Sequence, residues 1–226
     1  MATRALLAEL AQAWHAQTGG TVAFESVGGV DAAKRVQAGE ACDVVILASE
    51  AIDKLLSGGH VVAGSKVDLV QSGVAVAVKE GAARPVIDSE EAVKHAVLAA
   101  PTIGYSTGPS GVALTRLFER WGISEQVRAR TVQAQPGVPV GMLVARGEVA
   151  LGFQQTSELM NLDGITVVGP LPDSIQITTT FSGGICTASH DREAGRQLLV
   201  FLASSDAAPA KRRNGMEPVQ STRNLQ

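Results

Sequence analysis

The hydrophobic pattern of the chain switches repeatedly between helical and strand spacing. Leu6, Leu7, Leu10 and Trp14 share one face of a helix predicted over residues 2–17, which Gly19-Gly20 ends. Residues 21–26 read as a short strand. Val27-Gly28-Gly29-Val30 then forms a loop that opens a helix over residues 30–38, closed by Gly39. Residues 43–48 form a continuous apolar run, the pattern of a parallel strand covered on both faces. Ser49 caps the next helix, which carries Ile52, Leu55 and Leu56. Val74, Val76 and Val78 alternate with alanines, so residues 67–78 read as one long strand. A helix over residues 89–99 places Val93, Ala96 and Val97 on one face.

The clearest element of the second half is a strand, a small polar loop and a helix. Ile103-Gly104-Tyr105 ends in Ser106-Thr107-Gly108-Pro109-Ser110-Gly111, and Leu114, Leu117, Phe118 and Trp121 then repeat at helical spacing up to Gly122. Strands follow near residues 130–133, 149–154 and 165–168, with a helix reaching Arg146 and a helix start at Thr156-Ser157-Glu158. Residues 176–187 form a second long β run. Helices over residues 191–203 and 206–213 come next, and a polar tail from Gln220 reads as loosely held.

Alternation of strands and helices predicts an α/β fold with parallel sheets. The two long β runs break that alternation and read as crossovers between two lobes. One lobe holds residues 1–75 and 179–226, the other residues 76–178. A ligand is expected between them, at the carboxyl ends of strands.

Composition narrows the function. A net charge of −3 and the lack of a Lys/Arg stripe interleaved with aromatics argue against a nucleic-acid partner. No apolar run approaches the roughly 18 residues of a membrane span, so direct membrane insertion is not expected. The first residues lack a basic region followed by an uninterrupted apolar stretch. The expected location is the periplasm if an export signal was removed or lies upstream, and the cytoplasm if Met1 is the native start. Cys42 and Cys186 flank strand-like runs and read as buried free thiols or as a disulfide. The four histidines, His15, His60, His95 and His190, show no metal-ligand spacing, and neither a metal nor a cofactor is expected.

Small polar residues gather where strands turn into helices: Ser26-Val27-Gly28-Gly29, Ala48-Ser49, residues 106–111, Gly137-Val138-Pro139 and Gln154-Gln155-Thr156-Ser157. Such loops offer backbone N–H groups, hydroxyls and amides at the positive ends of helices, which suits an oxyanion or a small carboxylate. Each loop taken singly also reads as an ordinary cap or turn. The candidate ligand-binding residues are Thr3, Arg4, Gly28, Gly29, Ser49, Ser106, Thr107, Ser110, Val138, Gln154 and Gln155. No catalytic residue is singled out. The chain has neither a Gly-x-Ser-x-Gly elbow nor a phosphate-binding Gly-x-x-x-x-Gly-Lys-Ser/Thr loop. Asp43 reads as structural and Tyr105 as core.

Arg35-Val36-Gln37-Ala38-Gly39-Glu40-Ala41-Cys42-Asp43-Val44-Val45-Ile46 resembles a signature of the molybdate-binding proteins of ABC transporters. Residues 144–152 and the stretch from Phe201 to Pro218 resemble the same family in register. The resemblance implies a type II periplasmic-binding-protein fold: two α/β lobes, parallel-rich sheets, two hinge strands, and a small anion as ligand. It also implies an ABC transporter membrane complex as a partner. Gly28-Gly29 stand where that family has paired serines, and Gln155 where it has an oxyanion-binding tyrosine. The chain starts on the helix that follows the family's first strand. Amide donors in place of those groups suit an organic acid. The chain is also similar to aconitate isomerases, built on the same scaffold, so the alternative function is isomerisation of a small polycarboxylate. Effector domains of transcription regulators share the fold, but no helix-turn-helix module is read here.

Overall fold

The computed structural model describes residues 2–219; the polar tail from Gln220 lies outside them. The described residues form two compact units, one built from residues 3–71 and 180–219, the other from Ser72–Thr179. In chain order, α1 (Arg4–Thr18), α2 (Gly29–Gln37), β1 (Val44–Ala48) and α3 (Ser49–Ser57) lead into β2 (Val67–Lys79). Then come α4 (Glu90–Ala99), β3 (Ile103–Tyr105), α5 (Pro109–Arg120), α6 (Ser124–Val127), β4 (Thr131–Gln133), α7 (Val140–Ala145), β5 (Leu151–Gln155), α8 (Thr156–Leu159) and β6 (Ile165–Pro170). The chain closes with β7 (Thr178–Ile185), α9 (Arg192–Ala203), α10 (Ala208–Arg213) and β8 (Glu217–Pro218). The boundary between units falls inside β2 and inside β7.

In the first unit β1 pairs antiparallel with β7, Val44 opposite Ile185, and β8 pairs antiparallel with Val70 and Gln71 of β2. Val36, Val45, Leu47, Ile52, Leu55 and Val61 form one apolar cluster. Leu6, Leu7 and Leu10 of α1 and Leu198, Leu199 and Leu202 of α9 are buried as the helical spacing requires. Trp14 packs against Phe201 with the rings tilted at 60° and their centroids 5.3 Å apart.

The second unit holds the parallel pairing. β3 lies between β4 and β5, parallel to both, and β2 pairs antiparallel with β5 and with β6. Val74, Val76 and Val78 of β2 are buried among Val93, Val97, Ile103, Leu114, Phe118 and Phe153. Two helices carry the side-chain caps their sequences promise. Ser89 accepts from Ala92 N–H at 3.2 Å, and Asp191 from Ala194 N–H at 2.9 Å.

Three local expectations are corrected, and the alternative reading of the loop at residues 106–111 as a serine cap is not met. Residues 21–26 alternate in burial but form no strand, because β1 is paired with β7 alone and nothing among the described residues completes a ladder beside them. The apolar run of β1 is half-buried in alternation and pairs antiparallel, not parallel. Ser49 does not cap α3: Ala48 holds the cap position and Ser49 is already helical. Ser110 does not cap α5 either. Gly108 does, because Pro109 has its φ preset for the first helical position and moves the start forward.

Candidate functional site

In the second unit, β3 and β5 run parallel with Gly104 beside Gly152, so the residues after both strands leave the sheet at one edge. The loop after β3 is tightly wound. Ser106 Oγ lies 3.4 Å from Ser110 Oγ and accepts from Gly108 N–H at 3.3 Å. Gly108 C=O takes the N–H groups of Gly111 and Val112, at 3.0 and 3.2 Å. Among the described residues the N–H groups of Thr107 and Ser110 have no backbone acceptor. Ser110 is buried and Thr107 is exposed. Gly111 is required here, because a Cβ on it would stand 1.8 Å from the backbone oxygen of Ser106. The 12-residue α5 begins at this loop, so two hydroxyls and free N–H groups meet its positive end.

At the end of β5, neighbouring glutamines take opposite faces of the strand. Gln154 is 2% exposed and committed at both ends of its amide. Its Oε1 accepts from Gly141 N–H at 3.1 Å, and its Nε2 donates to Glu158 on α8. Gln155 Nε2 donates to Thr179 Oγ1 at 2.8 Å, while its Oε1 is buried with no partner. The two ends of an amide are exchangeable. If Thr179 donates to the oxygen instead, the NH₂ group is the one left open. Ser157 Oγ and Ser72 Oγ are also buried without partners. Unpaired buried polar atoms of this kind are costly and mark where a ligand's polar groups would be satisfied.

Glu158 is half-buried, and burial pushes its pKa up against the opposing effects of the N-terminal charge and the Gln154 amide. Sequence reasoning placed Glu158 at a helix start without assigning it a role. The signal was the run of polar residues directly after a buried strand. Val138 turns the loop before α7 through its N–H to Gln135 C=O at 2.9 Å, and its side chain packs against Ala134, Val140, Leu143, Val144 and Val149. It therefore offers backbone rather than side-chain chemistry.

In the first unit, Gly28 caps α2 and Gly29 opens it, with Leu47 Cδ2 3.8 Å from where a Gly29 Cβ would stand. The start of α2 thus lies close to the end of β1, where Ser49 opens α3. Thr3 precedes α1, accepts Leu7 N–H on its carbonyl at 2.9 Å and borders a small apolar cavity with Leu6, Leu10 and Lys211. Arg4 is exposed.

Cys42 and Cys186 are free thiols with sulfurs 3.0 Å apart, and burial pushes the Cys186 thiol up. Asp43 accepts from Ser189 Oγ at 2.7 Å, which holds its carboxyl below the usual carboxylate range. Among the described residues no three His, Cys, Asp or Glu side chains are placed to hold a metal. No described helix is long and apolar enough to cross a membrane.

An α/β chain of two units with small polar loops at strand ends is the architecture of a solute binder. The model of the bacterial extracellular solute-binding proteins matches residues 1–217, and the chain belongs to that family. An aconitate isomerase from Pseudomonas sp. is 44% identical over 186 residues, covering 82% of this chain and 71% of that protein. The periplasmic molybdate-binding protein of Azotobacter vinelandii superposes with a TM-score of 0.78 at 20% identity, over 95% of this chain and 94% of that one. PEB3 with bound L-phospholactate superposes with a TM-score of 0.74 at 15% identity, over 96% of both chains.

Proposed function

We propose that the protein captures a small organic anion of the polycarboxylate class, with the loop at residues 106–111 and Gln155 among its contacts. The observation that carries this reading is the combination at one sheet edge of paired Ser106 and Ser110 hydroxyls with buried, unpartnered polar atoms on Gln155 and Ser157. Neutral donors bind through geometry, so affinity depends only weakly on ionic strength. The 44% identical aconitate isomerase favours a carboxylate over an inorganic oxyanion. Ser106→Ala and Ser110→Ala each weaken binding about ten- to a hundredfold, roughly 1–3 kcal/mol, by leaving the anion unsatisfied. Lower melting temperatures with unchanged affinity would make these serines purely structural. Thr3, Arg4, Gly28, Gly29, Ser49, Thr107 and Val138 are further proposed contacts, tested by the same titration on Ser49→Ala, Arg4→Ala and Thr107→Ala, while Gln154, expected as a contact, is taken up by Gly141 and Glu158. As a solute binder the protein works in the periplasm with a membrane transport complex, which cell fractionation and co-purification test.

The same relative supports a second reading, in which the bound polycarboxylate is isomerised. Turnover without any transporter distinguishes it from pure capture.

A further inference from the structure

Glu158 brings a carboxyl to the edge just described. Glu158 sits on the single turn that closes β5, and its carboxyl receives the Gln154 Nε2–H. Gln154 is itself fixed by Gly141 N–H at 3.1 Å, so the carboxyl is held from behind by a buried amide with no freedom to turn. Other carboxylates behave differently. Glu9, Glu25 and Glu40 are each engaged by an arginine that pulls the pKa down, and Glu90 by the Trp121 indole N–H and then Arg120. Among the described residues Glu158 has no Lys or Arg within ion-pair distance, and the charge of the N-terminal amino group lowers its pKa against the larger effect of burial. It also stays partly open to solvent. The parallel pairing of β3 and β5 brings its strand end to the same edge as the loop at residues 106–111.

We infer that Glu158 is the proton-transfer group for an allylic isomerisation of an unsaturated tricarboxylate held at this edge, an inference that rests on the second reading above. The Glu158 carboxylate takes a proton from the methylene carbon of the substrate. The C–H electron pair forms a new double bond to the central carbon, and the old double bond's electrons move onto the far carbon and its carboxylate. The Glu158 carboxyl then returns its proton to that far carbon. The double bond has moved, no atom is gained or lost, and neither oxidant nor co-reactant is needed. The Ser106 and Ser110 groups serve the negative charge that builds on the substrate's carboxylates. A carboxyl that burial makes less acidic is a better base for this step than an exposed one.

The test incubates wild type, Glu158→Gln and Glu158→Asp with trans-aconitate in D₂O. Proton NMR follows deuterium entry and formation of the cis isomer, and calorimetry follows binding of the same compound. Wild type should bind and exchange. Glu158→Gln should bind within a few-fold of wild type and lose about a hundredfold or more in exchange, while Glu158→Asp keeps part of the rate. Melting curves of both variants check that the fold survives. Exchange at the wild-type rate in Glu158→Gln overturns the role of Glu158. Wild-type binding with neither deuterium entry nor formation of the cis isomer overturns the proton transfer and leaves anion capture standing. No binding of any polycarboxylate by wild type overturns both.

Discussion

Lys211→Met raises stability at neutral pH. Lys211 lies on α10 with 1% of its surface exposed, and it borders a cavity of about 10 Å³ lined by Thr3, Leu6, Leu7, Leu10, Ile46, Leu69, Val70 and Leu202. Thr3 is the only other polar residue on that wall. Burial lowers the Lys211 pKa from 10.5 to about 8. An unfolded chain holds the proton up to the higher value, while the folded protein gives it up near the lower one. Stability therefore rises with pH through that window, and below it the whole penalty of the buried charge is present. At about 1.4 kcal/mol per pH unit, the penalty amounts to about 3 kcal/mol. Methionine keeps the length of the stem and its contacts with the leucines while removing the ammonium. The expected gain at pH 7 is about 1–3 kcal/mol, or about 3–10 °C in melting temperature. Thermal melts of both proteins from pH 6 to 10.5 read the effect. The gap between the two curves should be widest below pH 8 and close as Lys211 loses its proton. A less stable Met variant with a pH-independent gap would refute the reasoning and mean that the ammonium has a partner.

Gly111→Ala should cost about 2–4 kcal/mol and weaken anion binding, because its Cβ would stand 1.8 Å from Ser106 C=O; melting and calorimetry together check it. Ser189→Ala removes the hydroxyl that holds the Asp43 carboxyl down, so the small stabilisation it brings, present above the unfolded carboxylate pKa, disappears and the acid limb of the pH–stability curve becomes shallower. Cys186 should react with a disulfide reagent at pH 8 far more slowly in the folded protein than in urea, since burial keeps its thiol protonated; equal rates would contradict the buried setting.

The apolar alternation of β2 and the helical spacing of Leu114, Leu117 and Phe118 were legible in the sequence because each reports burial directly. What periodicity records is which side faces the core, and it is silent on which strand lies alongside. That is why residues 21–26 show the burial of a strand without a ladder, and why β1 is antiparallel where its composition suggested otherwise. Caps failed at Ser49 and Ser110 for a related reason. A hydroxyl one or two residues past the cap has the same sequence signature as one at the cap itself. The polar run at 154–158 was visible as a loop. The commitment of Gln154 to Gly141, and the open valence on Gln155, depend on contacts across 13 and 24 residues that no local pattern encodes. Lys211 was missed because a lysine in a run of Lys and Arg reads as solvated, and only packing shows that this one faces leucines.

Capture of a small organic anion is tested most directly by calorimetric titration of the purified wild-type chain with trans-aconitate, citrate and molybdate. The account predicts saturable one-to-one binding of a polycarboxylate that changes little between low and high salt and weakens about tenfold or more in Ser106→Ala. Flat titrations with the carboxylates and molybdate alike would contradict it.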